Sequence, residues 1–239
     1  MPTVALFVTC LADQLFPDTA VATVRLLEAA GCSVEFPAAQ SCCGQPAVNS
    51  GEPEAAVPLA RRFVEVFEPY DAVVGPSGSC SGTVRHWYAQ LLPGDLARRA
   101  ERVAAKTFEL SQYLVDELGV TDVGARVTNT VTFHDACHGL RHLGIRAQPR
   151  VLLEAAGAAV VEMPESETCC GFGGTFAVKH GEISGALADD KLRHAATTTA
   201  EFLVSTDGAC LMHLAGRQRR TGVGPTPIHL ADLLARGLP

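Results

Sequence analysis

Apolar and polar positions along the chain alternate between short β-rich runs and longer stretches with helical period. Residues 3–9 are apolar and β-rich, residues 19–30 repeat their apolar positions at helical spacing up to Gly31, and residues 34–36 predict a short second strand. The alternation then resumes. Residues 53–67 predict a helix, 71–75 a buried strand before the turn residues Pro76 and Gly78, and 83–92 another helix. Downstream, 127–133, 158–161 and 202–205 predict strands, and 149–156, 182–196 and 211–217 predict helices. Strands that alternate with helices in this way form parallel sheets covered by helices. The expected class is α/β, built from Rossmann-like open sheets.

The cysteines show that the pattern is duplicated. Ser41-Cys42-Cys43-Gly44 is answered by Thr168-Cys169-Cys170-Gly171 at an offset of 127 residues, and Cys10 by Cys137 at the same offset. Each pair is followed by one further cysteine, Cys80 or Cys210, so eight of the nine cysteines fall into two sets of four. At this composition roughly 0.03 Cys-Cys-Gly triplets are expected by chance. Internal duplication accounts for two of them, and predicts two similar halves, residues 1–122 and 123–239.

Length and charge narrow the function classes. A chain of 239 residues with 47% hydrophobic and 19% charged positions is globular, which excludes disorder, collagen-like repeats and coiled coil. With 19 Lys and Arg against 26 Asp and Glu the net charge is −7, opposite to the basic surplus of a nucleic-acid binder. No apolar run approaches 18 residues, and the stretch from Val4 to Ala12 lacks the basic flank of a secretory signal. The expected location is the cytoplasm. Cysteines at patterned spacings in a reducing compartment are metal ligands or redox groups more often than disulfides.

Cys10, Cys80, Cys137 and Cys210 each follow the end of a predicted strand, and the vicinal pairs lie in loops after the second strands. In open α/β sheets ligands bind outside those strand ends, so four cysteines from three loops converge in each half. Helices that start there offer N–H groups to a negatively charged ligand. Thiolates select iron–sulfur clusters, zinc or copper(I), and four per site suits both zinc and a four-iron cluster. Structural zinc sites use Cys-x2-4-Cys knuckles, whereas a multi-iron cluster accommodates an adjacent pair better.

The remaining candidates are weaker. Cys32, which follows the helix-ending Gly31, reads as a buried packing residue. His134 and His138 flank Cys137, and His138 and His142 share a helical face; with no acidic partner they fit support or packing better than ligation, as does His213. Arg217, Arg219 and Arg220 lie at a helix end, where the dipole favours cations. Gly171-Phe172-Gly173-Gly174 does not complete a nucleotide-binding glycine loop and reads as backbone room beside the cysteine pair. No Ser-His-Asp arrangement supports hydrolysis.

Both cysteine patterns resemble the CCG, or cysteine-rich, domain of heterodisulfide reductase and of the iron–sulfur subunits of glycolate oxidase and anaerobic glycerol-3-phosphate dehydrogenase. The stretches Pro76 to Cys80, Phe133 to His138, Cys169 to His180 and Ser205 to His213 are most similar to the lactate-utilization members of that family, over nearly the whole chain. There are no ferredoxin-like Cys-x2-Cys-x2-Cys runs. The resemblance implies a cytoplasmic iron–sulfur subunit that works with two other lactate-utilization subunits to oxidise L-lactate to pyruvate. It also implies one cluster of the [4Fe-4S] kind per half, on Cys10, Cys42, Cys43 and Cys80 and on Cys137, Cys169, Cys170 and Cys210. The fuller family motif ends in Cys-x-x-Cys, and here Ser77 and Asp207 replace the first of those cysteines. That departure argues against five-cysteine clusters and disulfide cleavage, and makes Asp207 a candidate oxygen ligand. A zinc-stabilised scaffold and a thiol–disulfide redox subunit like that of heterodisulfide reductase are the alternative readings.

Overall fold

The computed structural model describes residues 1–239. Strands β1 (Thr3–Leu6), β2 (Ser33–Glu35), β3 (Ala72–Gly75) and β4 (Thr107–Glu109) form one sheet in the order β2-β1-β3-β4. Strands β5 (Thr130–Phe133), β6 (Ala159–Val160), β7 (Phe202–Ser205) and β8 (Thr226–His229) form a second in the order β6-β5-β7-β8. Every pairing is parallel. The two orders are the same with the strand number raised by four, so the duplication expected from the cysteines is present in the fold.

Alternation along the central strands divides the core. Val4 and Val74 point to one face and Ala5 and Val73 to the other, as the two-residue period of a strand requires. The first face joins Val131, Phe133, Val204 and Ile228 of the second sheet in one continuous core, so the halves are packed back on one another. The opposite face of each sheet is covered by its own helices. In the first half Phe7, Phe63, Phe67 and Tyr88 fill that space, with Phe7 and Phe63 edge-to-face at 4.9 Å. In the second half Met163, Ala188, Leu192, Leu203 and Leu214 do so.

Helices also cross between halves. The last helix, Leu230–Arg236, packs on helix Pro17–Ala29, and helix Gly78–Leu91 packs on helix Cys137–Leu143. The latter contact is tight at Gly78, where a Cβ would lie 3.0 Å from the Cα of Gly139. No helix is long and apolar enough to cross a membrane.

Element ends differ from the sequence expectation for identifiable reasons. The first strand stops at Leu6 rather than residue 9, because Thr9 takes φ 68° and Cys10 opens helix Cys10–Leu15. The helix expected over 83–92 begins at Gly78, where the Ser77 hydroxyl accepts the Cys80 N–H and caps it. Pro53 starts a 3-10 turn before the helix Val57–Phe67. Strands β4 and β8 and the helix Gly94–Ala105 are additions to the predicted set. Pro227 within β8 is accommodated because β8 is an edge strand and needs no N–H there.

Candidate metal centre

The sheets carry the cysteines to one end of the molecule. Cys10 and Cys137 are the first residues of helices Cys10–Leu15 and Cys137–Leu143, while Cys80 and Cys210 lie in the first turns of helices Gly78–Leu91 and Gly208–Thr221. The vicinal pairs lie between β2 and helix Gln45–Asn49 and between β6 and helix Thr175–Lys179. In the first half the sulfurs touch in succession: Cys10 Sγ is 3.5 Å from Cys42 Sγ, Cys42 abuts Cys43, and Cys43 abuts Cys80. The second half repeats this as Cys137, Cys169, Cys170 and Cys210. Both sets open on one cavity of about 200 Å³, lined by every one of these cysteines except Cys42. Cys32 lies apart, buried in the core shared by the halves.

Crowding decides which sulfurs ionise. Cys42 is pulled down to about 2 by hydrogen bonds from Cys10 and Cys43, with the Gly44 N–H adding a contact at 3.4 Å. Cys169 is lowered in the same way by Cys137 and Cys170, with the Gly171 N–H at 3.3 Å. The thiols of Cys10 and Cys137 are pushed up, first by bonding to those thiolates and then by burial. Cys43 and Cys170 are raised likewise. Such a set holds protons where a soft cation would otherwise sit, and binding one there would release them.

The glycine of each Cys-Cys-Gly triplet is required by geometry. Gly44 and Gly171 have φ of 83° and 91°, a region L side chains avoid. A Cβ on Gly44 would also meet Ala56 Cβ at 2.9 Å, and one on Gly171 would meet the Ser184 carbonyl at 2.5 Å.

Ser77 and Asp207, which stand where the family motif has further cysteines, face one another between the halves. They form an antiparallel bridge, and each caps its own helix. Asp207 Oδ1 accepts the Ala209 N–H at 3.2 Å, while Oδ2 accepts the Ser79 N–H of the other half at 2.9 Å and lies 3.5 Å from the Ser77 hydroxyl. Both carboxylate oxygens are therefore engaged with this chain's own donors.

The histidines separate by environment. His138 Nδ1 is 3.5 Å from Cys137 Sγ, and its ring stacks toward His142, which stacks on His86 at 4.3 Å. His213 Nε2 lies 3.1 Å from the Ser184 hydroxyl. His134 is different: it is fully buried with neither ring nitrogen hydrogen-bonded, and a ring nitrogen lies within 4.8 Å of both Cys170 and Cys210 Sγ. Burial lowers its pKa to about 4.

Sequence reasoning passed over two groups behind the second set. Lys191 is buried, with Nζ donating to the carbonyls of Glu165 and Ser166 at 2.5 and 3.1 Å. Its signal was available, since it shares a helical face with Ala188, Leu192 and Ala195. Asp135, also buried, takes two hydrogen bonds of 2.9 Å from Arg150, which also pairs with Glu162. Of the three arginines at the end of helix Gly208–Thr221, Arg217 is held by Asp189 with two bonds of 2.5 Å.

The cysteine-rich domain model CCG matches residues 4–85 and, a second time, residues 131–215. The chain belongs to the CCG cysteine-rich domain family. Each CCG match takes in one complete set of four cysteines. Similar proteins include "Lactate utilization protein A" of an Exiguobacterium species, 47% identical over 243 residues and covering 100% of this chain and 99% of that one. The proteins of the same name from Oceanobacillus iheyensis and Bacillus cytotoxicus are 44% and 45% identical over 234 residues. They cover 97% of this chain, and 96% and 98% of their own lengths. Among solved structures, a hypothetical protein from Helicobacter pylori aligns with a TM-score of 0.71 at 8% identity, over 99% of this chain and 49% of that one. It shares the fold, and this chain spans about half its length.

The donor chemistry of the CCG sites fits a soft metal centre. Each offers four sulfurs already in contact, backbone N–H groups on the ionised ones, and helix starts at the two outer cysteines.

Proposed function

We propose that this chain is an iron–sulfur electron-transfer subunit of a cytoplasmic complex that oxidises L-lactate to pyruvate. One cluster of the [4Fe-4S] kind would be held by Cys10, Cys42, Cys43 and Cys80, and the other by Cys137, Cys169, Cys170 and Cys210. The observation that carries the reading is that two sets of four sulfurs, each in mutual contact, meet at one cavity, which seven of the eight line directly while Cys42 touches Cys10 and Cys43 beside it. The names of the similar proteins support lactate as the substrate of the system and, with the resemblance read from the motifs, two further subunits as partners.

An iron–sulfur cluster supplies one-electron redox steps at a potential set by the charge, hydrogen bonds and solvent around it. The chain's own residues do the rest. Gly44 and Gly171 bend the backbone so that their N–H groups reach the sulfurs of Cys42 and Cys169 while Cys43 and Cys170 are buried. The Ser77–Asp207 bridge fixes the two cysteine-bearing helices against each other. Buried aromatic rings in the first half and the buried Asp135–Arg150 pair in the second support the strand ends from behind.

The test is the iron, acid-labile sulfide and zinc content of the full chain purified without oxygen, with its visible spectrum. About eight irons per chain with broad visible absorption is the expected result for two four-iron sites. Zinc without iron or sulfide would overturn it in favour of a zinc-held scaffold, because zinc thiolate sites are colourless.

A further inference from the structure

The halves repeat their ligands but not what lies behind them. Phe7 and His134 occupy the same place: each follows its central strand, and their N–H groups donate to the carbonyls of Val74 and Val204, both at 2.8 Å. Around Phe7 the space is filled by Phe63 and Phe67 on helix Val57–Phe67 and by Tyr88. Around His134, helix Gly181–Ala196 supplies Lys191, an ammonium with no carboxylate bonded to it that is held by two backbone carbonyls. His134 adds a buried ring with both nitrogens free, beside Cys170 and Cys210. Two carboxylates also lie near. Asp135 is paired with Arg150, and Asp207, whose oxygens rest on N–H groups of both halves, opposes Lys191 by raising the Cys137 and Cys210 thiols.

We propose that the two sites are electrochemically unequal, and that the second half holds the higher-potential cluster because Lys191 and His134 stand behind it. The inference rests on the iron–sulfur reading above. Reduction adds negative charge to a cluster. A fixed cation in a low-dielectric wall stabilises the reduced form, and a polar ring in the same wall adds a dipole that an apolar ring lacks. The apolar wall of Phe7, Phe63 and Phe67 offers the first cluster neither. Two backbone carbonyls accept from Lys191 Nζ, a setting that suits the ammonium form, and burial, opposed by Cys170 and Asp135, lowers its pKa to about 8. An electron shared between the two sites therefore rests on the second half.

The experiment is a redox titration of the full chain with both clusters in place, with dithionite and ferricyanide as titrants and low-temperature electron paramagnetic resonance as the readout. The parent protein is expected to show two resolved waves. Lys191→Met should move the upper wave down toward the lower one, leaving the lower wave in place and the iron and sulfide content unchanged. Lys191→Arg should retain the upper wave. His134→Phe, which copies the side chain the first half uses at this position, should also lower the upper wave alone; it carries the test if Lys191→Met fails to fold. A single wave for two clusters, or a lysine variant that moves the lower wave or neither, overturns the inference and leaves the electron-transfer reading standing. Absence of iron and sulfide from the parent protein overturns that reading, and this inference falls with it.

Discussion

Removal of the Asp207 carboxylate separates a structural latch from a metal ligand at the position where the family motif has a cysteine. Asp207→Ala would cost its helix a cap, typically about 1 kcal/mol. It would also leave the Ser79 N–H, buried between the halves, without its acceptor at 2.9 Å, a loss of about 1–3 kcal/mol. The two terms share one side chain, so their sum of about 4 kcal/mol is a ceiling and the expected destabilisation is about 2–3 kcal/mol. For a chain of this size that lowers the urea midpoint by about 1 M. Asp207→Asn keeps the oxygen that caps Ala209 and turns an amide donor toward Ser79, so its midpoint should fall between the two. Urea unfolding followed by circular dichroism gives the midpoints, and anaerobic iron and sulfide analysis shows whether the sites stay loaded. The geometry predicts lost stability with unchanged iron, because both oxygens already serve this chain's N–H groups. An unchanged midpoint would refute the latch. Loss of iron from a variant that keeps its far-ultraviolet spectrum would make the carboxylate a ligand. A double-mutant cycle with Ser77→Ala, 3.5 Å away, should show coupling between the two positions.

Two further outcomes follow from single residues. Gly171→Ala should lower iron content to about half by disrupting the second site alone, because a Cβ there meets Ser184 and Leu187 as well as a positive φ; Gly31→Ala, with φ 85° and open space around it, should cost about 1–2 kcal/mol from backbone strain without loss of iron. Burial pushes the Glu109 carboxyl up to about 7 from an ordinary 4.5, so the folded chain keeps a proton that the unfolded chain releases first. The stability tied to that proton is fully present below pH 4.5 and lost as pH rises to about 7, a change on the order of 3 kcal/mol. Glu109→Gln should flatten the urea midpoint across that window, and a slope parallel to the parent protein's would sink the assignment.

What the sequence made legible was whatever is local or repeated. The offset of 127 residues placed both sets of cysteines and the duplication, and strand–helix alternation gave the parallel sheets. Strand β4 stayed hidden because it is three residues long and ends in Glu109, whose side chain reads as polar but is buried as the cap of the next turn. Strand β8 was concealed by Pro227 and His229 for a similar reason, His229 capping the last helix. The Ser77–Asp207 bridge joins positions 130 residues apart and leaves no periodic signal. Lys191 was readable as a charge on an apolar helical face, yet its meaning depends on sulfurs that two distant loops bring to it.

The places where the repeat is broken are informative in the same physical sense. A duplicated chain starts with two equal sites, and substitutions that face the shared cavity or the seam between halves are those able to make them unequal. Phe7 against His134 changes the wall behind one sulfur set; Ser77 against Asp207 puts a carboxylate on the seam in one copy only. Glu109 and His229 both close the outer strand of their sheet and cap the helix that follows. His229 Nε2 donates across the seam to the Pro76 carbonyl at 3.0 Å, while Glu109 leaves Oε1 without a partner. The side chains that hold the sulfurs are kept in both copies, whereas those that set charge around them differ. Capture of a metal centre needs the same ligands twice, but a direction for electron flow needs the surroundings to differ. On the electron-transfer reading proposed above, one fold used twice meets both demands.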